Sequence, residues 1–291
     1  MDILESVPIF VFNGIALGMI YFLIAIGLTI IFGMMGVINF AHGALYAIGA
    51  YLAYTTTLHT GNFWLSLAVA PVIMFGVGIG EYFLLRWLYG VEPVYQLLLT
   101  FGLALIMQEV TIIIWGSVGK PLPIPAIFRG FYDFGIFTYP KYRIFLIVFT
   151  AAIAFIIWFS IMRTKLGAMI RAGTEDSEMV NSVGINISRL FTLVFGLGAS
   201  MAGLGGVLAA PIVGVEPFMG MNILIISFVV VVVGGLGSYG GAVLGGLLIG
   251  IIQSLCILFF PAAAAVVVFA FMAVILIVKP EGLLGKVEVN R

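Results

Sequence analysis

The sequence predicts an all-α, polytopic integral membrane protein of about eight or nine membrane helices, some of them broken or half-length. Three observations carry this. First, hydrophobic residues make up 63% of the 291 and charged residues 8%, with a mean hydropathy of +1.28. A soluble domain carries about 25% charged residues because its surface must be wetted, so lipid has to solvate most of this one. Second, the charges are segregated. No Asp, Glu, Lys or Arg occurs between Glu5 and Glu81, or between Glu216 and Lys279, and each gap exceeds the roughly 20 apolar residues of a spanning helix. Third, Ile144–Phe159 and Ile223–Val233 run without alternation, whereas barrel strands alternate apolar with polar over about 10 residues.

Composition also excludes several functions. Net charge is zero and no basic run occurs, which removes the electrostatic basis for a nucleic-acid partner. Cys256 is the sole cysteine, so neither an internal disulfide nor a Cys-based metal cluster can form. No Gly-rich stretch is followed by GK[ST], so this chain is not expected to bind ATP itself.

Taken in order, the first apolar segment covers about 9–33. Met1–Pro8 before it holds Asp2 and Glu5 but no Lys or Arg, unlike the positive n-region of a cleaved signal, so a retained first helix is expected. Segments at 37–57, 63–88 and 94–116 follow. Gly116–Tyr142 then reads as a long connection rich in Pro, Gly and aromatics, with Lys120, Arg129, Asp133 and Lys141, and Arg143 just beyond. After a segment at 143–162 comes the more charged loop Met162–Arg189, with Arg163, Lys165, Arg171, Glu175, Asp176 and Glu178. Four segments close the chain, at 189–212, 221–236, 240–260 and 262–279. Lys279, Lys286 and Arg291 mark the C-terminal end, and cytoplasmic ends favour Lys and Arg. The N-terminus is therefore expected outside, with the 162–189 loop and the C-terminus inside. The whole reads as one transmembrane domain, 1–291.

Glycine numbers 37 and concentrates at Gly14–Gly49 and Gly196–Gly250. Gly14 with Gly18, and Gly246 with Gly250, give small-xxx-small spacings that let membrane helices approach closely. Gly33 and Gly36 before Gly43 loosely echo Gly234, Gly235 and Gly237 before Gly241, a pattern that two related halves with broken helices would produce. Gly235-Leu-Gly-Ser-Tyr-Gly240 formally matches GxGxxG, but no acidic residue follows before Glu281. The dinucleotide reading fails for want of a ribose partner, and a helix break fits better.

Candidate site residues are few. Asn39 and His42, three apart, are expected on one helical face, either on a translocation path or bonding between helices. Gln108 and Glu109 lie inside the fourth segment; a carboxylate there is costly unless paired, solvated or protonated. Glu81 and Arg86 read as snorkelling residues near a helix end. Gln253 fits the path and a packing role equally. In the charged loop, Arg171-Ala-Gly-Thr-Glu-Asp176 followed by Gly184-Ile185-Asn186 reads as a short helix over Glu175–Val183, capped by Thr174, then a glycine break and re-entry.

Gly27-Leu-Thr-Ile-Ile-Phe-Gly-Met-Met-Gly-Val-Ile-Asn-Phe-Ala-His-Gly43 resembles the N-terminal signature of Liv-type branched-chain amino-acid permeases. The loop from Arg171 to Asn186, the stretch Gly234–Gly250 (with Gly240 inside it) and Lys279-Pro-Glu-Gly-Leu-Leu-Gly285 are similar to the same family, so the resemblance runs nearly end to end. It implies a bacterial inner-membrane subunit of an ATP-driven ABC importer. The expected partners are a second, homologous permease, two cytoplasmic ATP-binding subunits and a periplasmic solute-binding protein. ATP and Mg would belong to those subunits, with no cofactor on this chain. The loop at about 163–189 would be the coupling loop, Arg171, Glu175, Asp176 and Glu178 making polar contacts and Gly184 shaping the turn. Branched-chain or other neutral amino acids are the expected solutes. The competing reading is an ion-coupled secondary transporter in which His42 and Glu109 carry protons; an intramembrane enzyme or a passive channel lacks the necessary clustered residues.

Overall fold

The computed structural model describes residues 3–88, 91–135 and 137–285. They form eleven helices: α1 (Ile3–Met35), α2 (His42–Thr60), α3 (Phe63–Leu85), α4 (Pro93–Trp115), α5 (Lys141–Arg163), α6 (Lys165–Glu175), α7 (Ser177–Ser182), α8 (Ile187–Val213), α9 (Met219–Gly234), α10 (Tyr239–Phe259) and α11 (Ala264–Val278). Seven stretches are long and apolar enough to cross a membrane. The 16 residues of α9 extend only about 24 Å at 1.5 Å per residue, short of a hydrocarbon core of about 30 Å. All nine apolar segments are therefore present as helices. One small addition is an antiparallel hairpin in the long connection, β1 (Phe131–Asp133) with β2 (Thr138–Pro140), pairing Tyr132 with Tyr139.

Lipid tails are as apolar as leucine, so membrane helices associate through close packing rather than hydrophobic exclusion. The glycines provide it. A Cβ at Gly14 would lie 2.5 Å from Ile251 Cα and one at Gly18 2.7 Å from the Gly246 carbonyl oxygen, so α1 and α10 touch backbone to backbone. Gly49 of α2 meets Gly203 of α8 in the same way. As a result α1 and α8 are the buried axis of the molecule, 72% and 83% within the protein, while α5 and α11, at 11% and 6%, are peripheral.

One end of the bundle gathers the charged loop. There Met34 of α1 lies against Gly173 of α6, Gly33 faces Gly237, and the amides of Leu283 and Leu284 donate to the carbonyls of Val233 and Gly234. A separate apolar cluster beneath it joins Ile31, Met34 and Val37 with Tyr82, Leu85, Ile170, Leu190, Phe191, Val194 and Phe195. The opposite end holds the long connection, with Lys120 bridged to Val215 and Trp64 packed on Phe128 and Phe145. The 162–189 loop and the end of α11 thus share one end, away from the start of α1, as the charge distribution predicts. Lys286 and Arg291 lie outside the described residues.

The segment expected at 37–57 starts later than the sequence suggests. The helix there begins at His42, and residues 36–41 are non-helical. Gly36 ends α1 at φ +67°, a conformation that costs a side chain free energy and glycine almost nothing, and its amide closes α1 on the Phe32 carbonyl. The second break, at 235–238, uses Gly235 and Gly237 at φ +103° and +76°. The GxGxxG match is this break, preceded by a helix rather than a strand, with Ser238 capping α10 by accepting from the Gly241 amide.

Candidate translocation cleft and coupling hairpin

The helices α2 and α4 lie side by side in the same direction, joined by aromatic pairs at both ends. Phe40 and Phe101 meet edge to face at 6.3 Å nearer the loop end, and Tyr51 and Trp115 at 5.0 Å nearer the other. Trp115 also donates to Thr55 Oγ1 at 2.7 Å. Between the pairs, Ala44 and Ala47 of α2 face Ala104, Gln108 and Thr111 of α4, and Pro217, Gly220, Met221 and Leu224 supply a third wall. The small side chains leave the space. Gly43 draws α9 close, since a Cβ there would lie 2.2 Å from the Gly220 carbonyl oxygen.

The resulting cleft is apolar, and no Asp, Glu, Lys or Arg lines it. Thr111 spends its hydroxyl on the Met107 carbonyl at 2.8 Å. Gln108 is then the side chain with donor and acceptor to offer a solute. These walls suit an apolar side chain, with the Gln108 amide as the group that can hydrogen-bond a solute; a charged group set against them alone would find no compensation for its lost hydration.

Of the path candidates only Gln108 lines this cleft. Glu109, next to it, points outward from α4 and is exposed. Gln253 accepts a 2.6 Å hydrogen bond from the Tyr21 hydroxyl and ties α10 to α1. His42 is fully buried, its Nε2 3.0 Å from the Ile24 carbonyl oxygen. Asn39 lies in the non-helical break, so it shares no helical face with His42; its Oδ1 accepts from the Ala41 amide at 2.9 Å. Glu81 is not a snorkelling residue. It is 2% exposed and faces the Asn39 amide without the geometry of a full hydrogen bond. Arg86 does reach outward, lying over the rings of Phe83 and Trp87.

The charged loop is a helical hairpin, and its start differs from expectation. Thr164 caps α6 by accepting from the Gly167 amide, and α6 runs through Thr174 to Glu175. Asp176, rather than Thr174, is the N-cap of α7, accepting from the Met179 amide at 2.8 Å. Thr174 instead donates to the Arg171 carbonyl. Gly184 turns the chain at φ +90°, and Asn186 caps α8 by accepting from the Arg189 amide. Arg171, Glu175, Asp176, Glu178, Gly184 and Asn186 are exposed and Ile185 is half-buried. Arg171 anchors the hairpin through the Ile161 carbonyl. Beside these charges, Met179 and Val183 project at 66% and 73% exposure.

Residues 10–278 match the family model described as branched-chain amino acid transport system / permease component. The chain belongs to that family. It is 33% identical to the high-affinity branched-chain amino acid transport system permease protein LivH of Escherichia coli strain K12, over 96% of both chains. It is also 33% identical to BraD, the permease protein of the same description in Pseudomonas aeruginosa, over 96% of both. The permease protein LivM of Escherichia coli K12 matches at 26% over 92% of this chain and 68% of its own length. No solved structure matches the chain. It is a multi-pass membrane permease component.

Several residues of this permease carry no warning in the sequence. Phe40, Phe101, Tyr51 and Trp115 stand among 25 Phe, 11 Tyr and 4 Trp residues, so nothing marks them until α2 and α4 are set side by side. Glu81 was legible as the first charge after a long apolar run, but not as buried. Met179 and Val183 are four apart with the buried Val180 between, a spacing that would have disclosed an apolar outer stripe.

Proposed function

We propose that this permease passes branched-chain or other neutral amino acids across the bacterial inner membrane as one domain of an ATP-driven importer. The observation that carries it is the apolar, uncharged cleft with Gln108 as its one available amide, on a chain whose relatives are named for branched-chain amino acid transport. The cleft is half of a path, and a second, homologous permease faces its open side. That LivH and LivM both match this chain supports a pair of similar subunits. The α6–α7 hairpin is the coupling element. Its charges, with Met179 and Val183 as apolar knobs, seat it on one of two cytoplasmic ATP-binding subunits, which hold ATP and Mg. This places the hairpin and the C-terminus in the cytoplasm and the N-terminus in the periplasm, where a solute-binding protein delivers the amino acid. Closing and reopening of the two halves around the cleft then alternates access.

The test is purification of tagged permease in mild detergent, mass identification of co-purifying chains, and ATP hydrolysis with and without the loaded binding protein. Two ATP-binding subunits, a second permease and stimulated hydrolysis are the expected result. A protein that purifies alone, with uptake following an ion gradient, overturns the importer in favour of secondary transport. In the assembled importer, Gln108→Leu is expected to lower leucine uptake about tenfold while hydrolysis persists, the loss of one hydrogen bond at roughly 1–1.5 kcal/mol.

A further inference from the structure

The break between α1 and α2 joins the cleft to the coupling hairpin. Successive residues in it point opposite ways. Phe40 lines the cleft and packs edge-on against Phe101, whereas Asn39, fully buried, faces Glu81 of α3. Asn39 has already committed its Oδ1 to the Ala41 amide, which fixes the turn. Its Nδ2 and both Glu81 oxygens are buried without a hydrogen-bond partner, so the two groups are each other's available complement. A carboxyl group withdrawn from water is costly unless something compensates it, and here the Asn39 amide is what faces it.

Below the break, Met34 and Val37 belong to the apolar cluster that includes Ile170 of α6. Met34 fills the space beside Gly173, where a Cβ would come within 2.8 Å of its Cε. The hairpin thus bears on the end of α1 two residues before the positive-φ hinge at Gly36.

We infer that Glu81, acting through the Asn39 amide, clamps residues 36–41 so that Phe40 closes the loop end of the cleft against Phe101, and that this ring pair is the inner gate. The inference rests on the cleft being the path. Phe40 is the gating side chain, Glu81 and Asn39 are positioning residues, and movement of α6 reaches the gate through Met34. Ala44, one turn further along α2, lies on the protected side of the ring pair.

The experiment uses the full chain with its partners in inverted membrane vesicles, with Cys256→Ser and Ala44→Cys introduced together. A membrane-impermeant maleimide is applied from the cytoplasmic face. Labelling of the parent is expected to be slow, and Phe40→Ala to raise its rate about tenfold, equivalent to about 1.4 kcal/mol in the closed–open balance. Asn39→Asp keeps the acceptor for the Ala41 amide but sets a second carboxyl against Glu81, so it too should speed labelling. Adding Glu81→Gln restores a donor facing the new carboxylate and should return labelling to the parent rate, which a merely unfolded protein would not do. Fast labelling after Asn39→Asp that Glu81→Gln fails to reverse, or no change after Asn39→Asp, overturns the clamp. If Phe40→Ala leaves labelling slow while leucine still protects the cysteine from reagent on the other side, the gate is overturned and the path survives. A cysteine unreactive from both sides in every variant removes the path, and the gate with it.

Discussion

At Gly250 of α10 a Cβ would lie 2.4 Å from the Gly14 carbonyl oxygen and 2.4 Å from the Gly18 amide nitrogen, both backbone atoms with nowhere to go. Overpacking of this kind costs about 1–3 kcal/mol. Gly250→Val is therefore expected to lower the thermal midpoint in detergent and deplete the assembled complex. Gly80 of α3 has nothing within 4 Å of its would-be Cβ, so Gly80→Ala should hold or raise the midpoint, since glycine inside a helix is worse than alanine by about 1 kcal/mol. Equal effects of the two would mean that backbone proximity does not set the packing. Gln253 makes a further contrast. Its bond to Tyr21 joins α10 to α1, and such bonds average about 0.6 kcal/mol in a membrane. Tyr21→Phe should shift the midpoint slightly and leave uptake unchanged; a large loss of uptake would return Gln253 to the path. The spacing of the glycines and the polarity of Gln253 were plain in the sequence. Their partners, 232 residues apart in the case of Tyr21 and Gln253, were not.

At the scale of elements the α6–α7 hairpin shows why local reading goes only so far. Thr174 and Asp176 are both good N-cap residues, and the sequence offers no way to choose between them. The choice falls to Asp176 because α6 extends to Glu175, burying Ile170 and Gly173 against α1 and α8. This changes which substitutions are clean. Asp176→Lys would remove a cap worth about 1 kcal/mol as well as a charge, so Met179 and Val183 are the better probes. Met179→Asp combined with Val183→Asp is expected to leave membrane insertion and the amount of protein unchanged and to abolish solute-stimulated ATP hydrolysis. Normal stimulation would mean that the hairpin docks elsewhere or not at all. The α1–α2 break extends further than the sequence suggests for a related reason. Residues 37–41 are apolar apart from Asn39, so they continue the hydropathy of their neighbours, and only Gly36 marks the change of backbone.

For the molecule as a whole, the peripheral helices differ in what they show outward. On α5, Val148, Phe155 and Phe159 are exposed, and on α11 Val266, Val274 and Ile277; all suit lipid. The outward face of α4 instead sets Glu109 between Ile106 and Ile113, beside the opening walled by Gln108. A carboxylate facing hydrocarbon is costly, so this is the face on which the second permease is expected. In the Cys256→Ser background, Ile106→Cys should cross-link to the co-purified second permease carrying cysteines of its own, while Phe155→Cys and Val274→Cys should not. Cross-links from α5 or α11 alone would move the interface to those helices and leave the importer assignment standing.

Composition and charge segregation by themselves pointed to a chain that lives in lipid, to eight or nine apolar helices, and to a 162–189 loop at the same end as the close of the last helix. The family motifs, local in sequence, were equally legible. These properties depend on what each segment prefers as solvent, and a segment's own residues fix that. Tertiary structure alone decided which polar groups face one another. It buried Glu81 against Asn39, turned Glu109 outward, and set Phe40 across from Phe101. In a chain where nearly every helix is apolar all round, hydropathy does not distinguish one face from another. The faces are chosen by where glycines let backbones meet, and those meetings join residues far apart in the chain.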